Sequence, residues 1–576
     1  MVLTFGDWVV MGLYGLVVVV VGVLLSKRAG KNTQEFFLGG RSLPWWLLGT
    51  SMVATTFAAD TPLAITEMVR TDGVWGNWFW WTWAVGHTLA VFLFARLWRR
   101  AEVATDAELT ELRYSGRPAA ILRGVKAAMM AFVFNLLVLG WVTQAMVTIL
   151  KECLDIPEIW ALLVCGVLAV MYATSAGFWG VVVTDLLQFV LAMGGSIAFA
   201  VLAAWRAGGL HALIESAESA KPGVTRLVPQ LALGDPQTTK FFILVVVGWW
   251  ATHNADAGGY MMQRLSSAKN EKHAVGGAMW FAIAHYALRA WPWILVALAS
   301  LTLLPVESFA AHKAAYPRLI GLVLPAGLRG LMVACLLAAF MSTVDTHLNW
   351  GASYLVFDLY KRFWKKNAEE RHYVKVARLA SVLLGVLASL VALGVDSIKG
   401  AWALLYSMGA GLGPFLILRW FWWRVNAWTE LTALSLSVVT GVLLALLGVG
   451  YEYRLLVVTG VSLLGGGLVT LLSSPERKEK LDTFYQKVAP GGAWGPISQG
   501  HAPRKSVVLR KTTFLDLILG VLCVYGATLG VGKLLFGELV QAGVLLGVFG
   551  VSGLCLKVRY DRAHGPQEKQ DKEKTI

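Results

Sequence analysis

The stretch Ala338–Gly351, AAFMSTVDTHLNWG, sets Ser342, Thr343, Asp345, Thr346, His347 and Asn349 almost side by side in an apolar run. Polar groups buried in hydrocarbon cost free energy unless each has a partner. Ser342 and Thr343 lie one turn after Ala338 and Ala339, whose small side chains leave backbone carbonyls approachable. A lone Ser or Thr in such a helix normally bonds back to its own backbone. Two adjacent hydroxyls beside open carbonyls also suit a hard cation such as Na+, which takes several oxygen ligands. A second segment, VATTFAADTPLAI, supplies further carbonyls around Ala54 and Phe57 if its helix is unwound there.

That segment and WWATHNADAGGYMMQR are unusual in the same way. Each interrupts an apolar run with small and polar residues plus a helix breaker, Pro62 in one and Gly258-Gly259 in the other. Non-helical backbone is tolerated at membrane depth only where it lines a cavity or is buried in protein. Broken segments at matching places in two halves point to an inverted-repeat carrier with a midplane site. Ionisable residues at that depth are candidates for function. Asp60, Asp256, Arg289 and Asp345 stand first, and Thr56, Asn254, Thr346 and His347 join them as candidate cavity groups. His253, His285 and His347 are otherwise expected to be satisfied core histidines. Trp80 lies in WGNWFWWTW, read either as an interfacial belt or as the aromatic wall of a vestibule. The Trp/Arg cluster RWFWWRVNAW is expected to be a belt, with Arg419 and Arg424 as anchors.

Such residues need a membrane to be buried in, and the composition provides for one. Of 576 residues 57% are hydrophobic and 15% charged, with 59 Gly and 26 Trp. About fifteen apolar segments near the length of a membrane span predict an all-α polytopic protein. Broken spans are expected over 43–70 and 240–262, an Arg-bearing span over 274–304 and the hydroxyl-bearing span over 327–356. The net charge of +15 concentrates in loops that one orientation makes cytoplasmic, which predicts the N-terminus outside and the C-terminus inside a plasma (inner) membrane. The charge is thereby accounted for without nucleic acid. Cys153, Cys165, Cys335, Cys523 and Cys555 are scattered, with no disulfide pair and no metal-ligand spacing. The 207–239 segment is expected to form a surface helix, and the tail 557–576 to be disordered.

Four stretches together resemble the sodium/solute symporter family over about residues 35–425. They are EFFLGGRSLPWWLLGTSMVATT, SAGFWGVVVTDLLQ, GGYMMQRLSSAKNEKHA and MSTVDTHLNWGASYLVFDLYKRF. The resemblance implies a leucine-transporter-like fold of five-plus-five inverted repeats, here 43–206 and 240–425. Residues 1–42 would precede that core. Spans within 426–473, a cytoplasmic loop 474–512 and a terminal hairpin 513–556 would follow it. It implies a Na+ site built from the carbonyls of Ala54, Phe57 and Ala339 and the hydroxyls of Ser342 and Thr343. Asp185 would line the ion's exit path, Asp60 would follow the unwound segment, and Tyr260 would stand where sugar-carrying members place a gating aromatic. The sugar carriers' substrate amides and lysine have no clean counterparts, and Arg289 lies one place off the lysine position.

The expectation is a Na+-coupled symporter in the bilayer that imports a small polar solute, with sugars ranked above amino acids and carboxylates. Proton coupling through Asp60, Asp345 and His347, or a non-transporting sensor on the same scaffold, are the alternatives. An enzyme is not expected, since no HExxH or GxSxG nucleophile elbow occurs. The oligomeric state is left open.

Overall fold

The structure is a computed structural model that describes residues 3–29, 33–173, 177–304, 312–498 and 511–573. Ser175 and Ala176 of the SAGFWG turn, and part of the loop before the last hairpin, lie outside the described residues. Helices carry nearly all the ordered structure. Among the described residues, nine are long and apolar enough to cross a membrane, or ten if the bent pair Ile398–Gly409 and Gly413–Phe421 counts as one span. The expected figure of about fifteen is not reached by that measure. The two central spans are each split into short halves, and Trp78–Ala101 is divided into short α- and π-helical pieces.

Both expected breaks are present. The first broken helix runs Trp45–Thr56 and resumes at Asp60–Asp72. Phe57 leaves helical geometry at φ −86°, ψ 67°, while the Thr56 hydroxyl caps the end by donating to the Val53 carbonyl at 2.9 Å. Pro62 then falls in the first turn of the new helix, where its missing N–H costs nothing. The second broken helix comprises Pro236–Val247 and Tyr260–Ser267. Between them Ala257 and Gly259 adopt left-handed φ of 59° and 68°. A side chain at Gly259 would press on the Trp350 ring, 3.3 Å away, so glycine serves both the turn and the close approach.

The first broken helix packs among Gly177–Arg206, the span Glu271–Leu303 and the hydroxyl-bearing span Leu328–Trp364. Small residues let the backbones approach: a Cβ at Gly49 would lie 2.5 Å from the Gly277 carbonyl oxygen. Gly413, at the bend of its span, abuts the backbone of Trp250 and Thr252 in the second break.

The first helix, Phe5–Ala29, is tied to the core by a cap that crosses the sequence. Asp7 Oδ1 accepts the Gly327 and Gly330 N–H groups at 2.8 and 2.7 Å. Those donors open the hydroxyl-bearing helix, where unsatisfied N–H groups favour an anion. The terminal hairpin, Lys511–Leu535 and Leu539–Glu573, docks by its first helix. There Trp291 Nε1 donates to the Thr528 carbonyl and the Tyr525 hydroxyl donates to the Trp81 carbonyl, both at 2.9 Å. The expected surface helix is present at Leu210–Ala220. The tail departs from expectation: its helix continues to Glu573, through Glu, Gln and Lys, which favour helix.

Candidate ion and solute sites

The hydroxyl-bearing helix meets the first broken helix where the sequence places the ion ligands. Ala54, Phe57, Ala339 and Ser342 line one small, tight pocket, together with Gln188, Phe189 and Ala192. Thr343, on the next residue, donates to the carbonyls of Thr55 and Ala339 at 2.9 and 3.2 Å. Behind the pocket stands Asp185, wholly buried. Its two oxygens accept the hydroxyls of Ser342 and Ser51, each at 2.5 Å. A serine that gives its proton to a carboxylate keeps its lone pairs free and made more basic, so Ser342 is well prepared to ligate a cation.

Asp185 is balanced by Arg264, whose Nη2 lies 3.7 Å from it. Arg264 also donates to Thr346 at 2.6 Å, to Thr55 at 3.2 Å, to Ser51 at 3.3 Å and to the Gln263 side chain at 3.2 Å. Arg264 lies in the GGYMMQR motif, whose local sequence assigns it no role. The missed signal is TSMVATT: its hydroxyls at 51 and 55 form one face that needs a donor-rich partner. Thr346, expected in the solute cavity, is turned instead into this cluster, bonded to Thr55 at 3.0 Å. Asp345 likewise does not line the cavity. It is buried with its Oδ2 unpartnered.

The cavity adjoins that cluster, with Thr55 and Thr343 on its wall, and has a volume of about 170 Å3. Thr56, Asp60, Trp80, Asn254, Tyr260, Arg289 and His347 all line it. So do Trp141, Trp402, Tyr406 and His87, which the sequence did not single out. Trp402 Nε1 donates to Asp60 Oδ2 at 3.0 Å. A π-helical turn over Ala284–Leu288 brings His285 and Arg289 to the wall, and the Arg289 N–H reaches back to the Ala284 carbonyl at 3.2 Å. The extra residue of such a turn re-aims side chains, as is frequent at functional sites. Trp80 is cavity wall rather than belt: it is buried and stacks on Tyr286 at 5.6 Å. His347 is a satisfied, buried histidine on the wall, its Nδ1 bonded to Asn135 at 2.7 Å.

Asp256 is the main correction. It lies in the second break yet does not line the cavity. Its Oδ2 accepts Arg419 at 2.6 Å and Trp420 at 2.8 Å, and its carbonyl accepts Trp98 at 2.6 Å. Arg419 also donates to Glu430 at 3.2 Å. Arg419 and Trp420 are therefore not interfacial anchors: both are at most 1% exposed and form a buried staple between the second break and the bent span. Arg424 does hold a helix end, donating to the carbonyls of Thr470 and Leu471.

Residues 36–436 match the model of the sodium:solute symporter family. The chain belongs to that family. It is 25% identical over 455 residues to a sodium/glucose cotransporter of Vibrio parahaemolyticus, covering 74% of this chain and 82% of that protein. It is 23% identical to the sodium/sialic acid symporter SiaT of Proteus mirabilis, over 83% and 97% of the two chains. A solved Na+-coupled sialic acid symporter superposes with a TM-score of 0.70 at 22% identity, over 82% of this chain and 99% of that one. The fold is thus the leucine-transporter-like one that the motifs imply. Membership makes the protein a membrane transporter, not an enzyme, with Na+ as the coupling ion.

Proposed function

We propose that the protein imports a small polar organic solute by coupling it to Na+ through alternating access. The N-terminus stands outside and the C-terminus inside. The observation that carries this reading is the pocket where Ala54, Phe57, Ala339 and Ser342 converge on the break of the first helix. In this reading Na+ binds there and at Thr343, and joins the broken helix to the hydroxyl-bearing helix. Solute then occupies the aromatic cavity beside the same break, and Na+ leaves past Asp185. Moving one such charge across 100 mV contributes roughly 2.3 kcal/mol, to which the concentration gradient adds. Sugars remain the first class to try among solutes, since Trp80, Trp141 and Trp402 line the cavity with indole and Asp60 and Asn254 offer hydrogen bonds.

The test is uptake into proteoliposomes with and without an inward Na+ gradient. A Na+ gradient is expected to drive accumulation. Combined Ser342→Ala and Thr343→Ala is expected to abolish the Na+ dependence while the protein still folds. Accumulation that keeps its Na+ dependence in that variant refutes the assigned ion site.

A further inference from the structure

Six arginines are buried among the described residues, and five of them meet oxygen. Arg70 donates to the Ser300 carbonyl at 2.7 Å and Arg113 to the Arg419 carbonyl at 3.1 Å. Arg123 donates to Asp358 at 2.7 Å, Arg264 to Thr346 at 2.6 Å and Arg419 to Asp256 at 2.6 Å. Arg289 alone of the six meets only a nitrogen, His285 Nε2 at 3.2 Å. Its Nε and Nη1 have no partner at all. It is 3% exposed and lines the solute cavity.

His285 does not neutralise it. A guanidinium only donates, so Nε2 must offer its lone pair and the ring proton must sit on Nδ1. That proton is directed at the Thr56 hydroxyl, 3.0 Å away. The imidazole is therefore neutral, and Arg289 keeps its full positive charge. Trp80 and Trp293 present their faces at 5.8 and 5.4 Å, which softens the charge without cancelling it. Asp60, on the wall of the same cavity, forms no ion pair with Arg289. Its Oδ2 takes Trp402 and its Oδ1 takes nothing.

A buried cation with no direct ion pair is costly and persists where something arrives to meet it. We propose that the something is the cargo: Arg289 receives a carboxylate of the transported solute, and Asp60 Oδ1 accepts a hydroxyl or ammonium hydrogen from its other end. One unpaired guanidinium in a cavity of about 170 Å3 whose walls combine aromatic rings with Thr hydroxyls matches a compact monoanion; a phosphate dianion would need more donors. The cargo is then a sugar acid or an amino acid rather than a neutral sugar. This rests on the symport reading above and narrows it.

The experiment is a thermal-shift screen of the purified full-length protein, in Na+ and in K+, with matched pairs that differ only at the carboxyl group. The pairs are acetate and acetamide, galacturonate and galactose, and serine and serinamide, extended across further sugar acids and amino acids. In Na+ at least one acid is expected to stabilise the protein where its neutral partner does not. The family of that pair tells which source supplies the carboxylate. Arg289→Gln is expected to weaken that acid's apparent affinity by roughly 10- to 100-fold and to remove the preference, with Arg289→Lys restoring part of it. If no acid exceeds its neutral partner in the unaltered protein, or if Arg289→Gln retains the preference, the proposal is overturned. An acid preference that is equal in Na+ and K+ refutes the coupling reading and leaves this one standing. Na+-dependent stabilisation by neutral sugars alone does the reverse.

Discussion

Arg264 and Arg289 reach neighbouring residues of one broken helix, Arg264 directly at Thr55 and Arg289 through His285 at Thr56. Arg264 is surrounded by the oxygens of Asp185, Ser51, Thr55, Thr346 and Gln263. Arg289 touches one imidazole and two indole faces. The same charge at similar depth thus plays two parts. Where oxygens meet the guanidinium, the group belongs to the resting architecture and holds helices in register. Where no oxygen meets it, the surroundings suit a visitor that brings one. The oxygens around each guanidinium separate the two better than depth or residue type does.

The comparison breaks most visibly on the saturated side. Arg264→Ala strands Asp185 without its counter-charge. It is expected to cost about 3–5 kcal/mol, read as a lowered midpoint in denaturant or heat in detergent micelles. A stability like that of the unaltered protein would mean the cluster is not structural. Next comes the frame that both sides share. Gly413→Ala drives a methyl group into the backbone of Trp250 and Thr252, and overpacking of that kind is expected to cost about 3 kcal/mol and to slow uptake. A smaller effect sharpens the cavity side. Trp402→Phe keeps an aromatic ring and removes the hydrogen bond that Trp402 gives Asp60, with an expected loss of about 1–2 kcal/mol. Smallest of all is Arg289→Met, which replaces an unanswered charge by an apolar chain of similar reach. Its melting temperature is expected to stay level or rise, in contrast to Arg264→Ala, and a fall as large as that of Arg264→Ala would erase the distinction.

Much of this was legible in the chain, and the illegible part has a common cause. The two breaks announce themselves through local chemistry: Pro62, Gly258 and Gly259 cannot continue a helix unaided, so their positions read directly. The hydroxyls at 342 and 343 are likewise a local signature. The roles of Asp60 and Asp256 were not separable, because each sits in a break among small polar residues. What divides them is Arg419, which is 163 positions from Asp256 in sequence. Arg419 reads as an anchor in sequence because a Trp/Arg cluster has the same composition at a lipid interface and in a buried ion pair. Composition reports how deep a residue lies, while partnership is decided by helix crossings that no local window contains. Arg264 escaped notice for the same reason: its acceptors come from the helices of residues 51–55, 185 and 346.

The cap that Asp7 places on Gly327 and Gly330 makes the first helix a passenger of the hydroxyl-bearing one, although it lies outside the repeated core. A spin label or fluorophore on the lipid-facing side of that first helix, at Leu13 for example, would report the conformational cycle from a distance. It would do so without a foreign group near either the ion or the cargo.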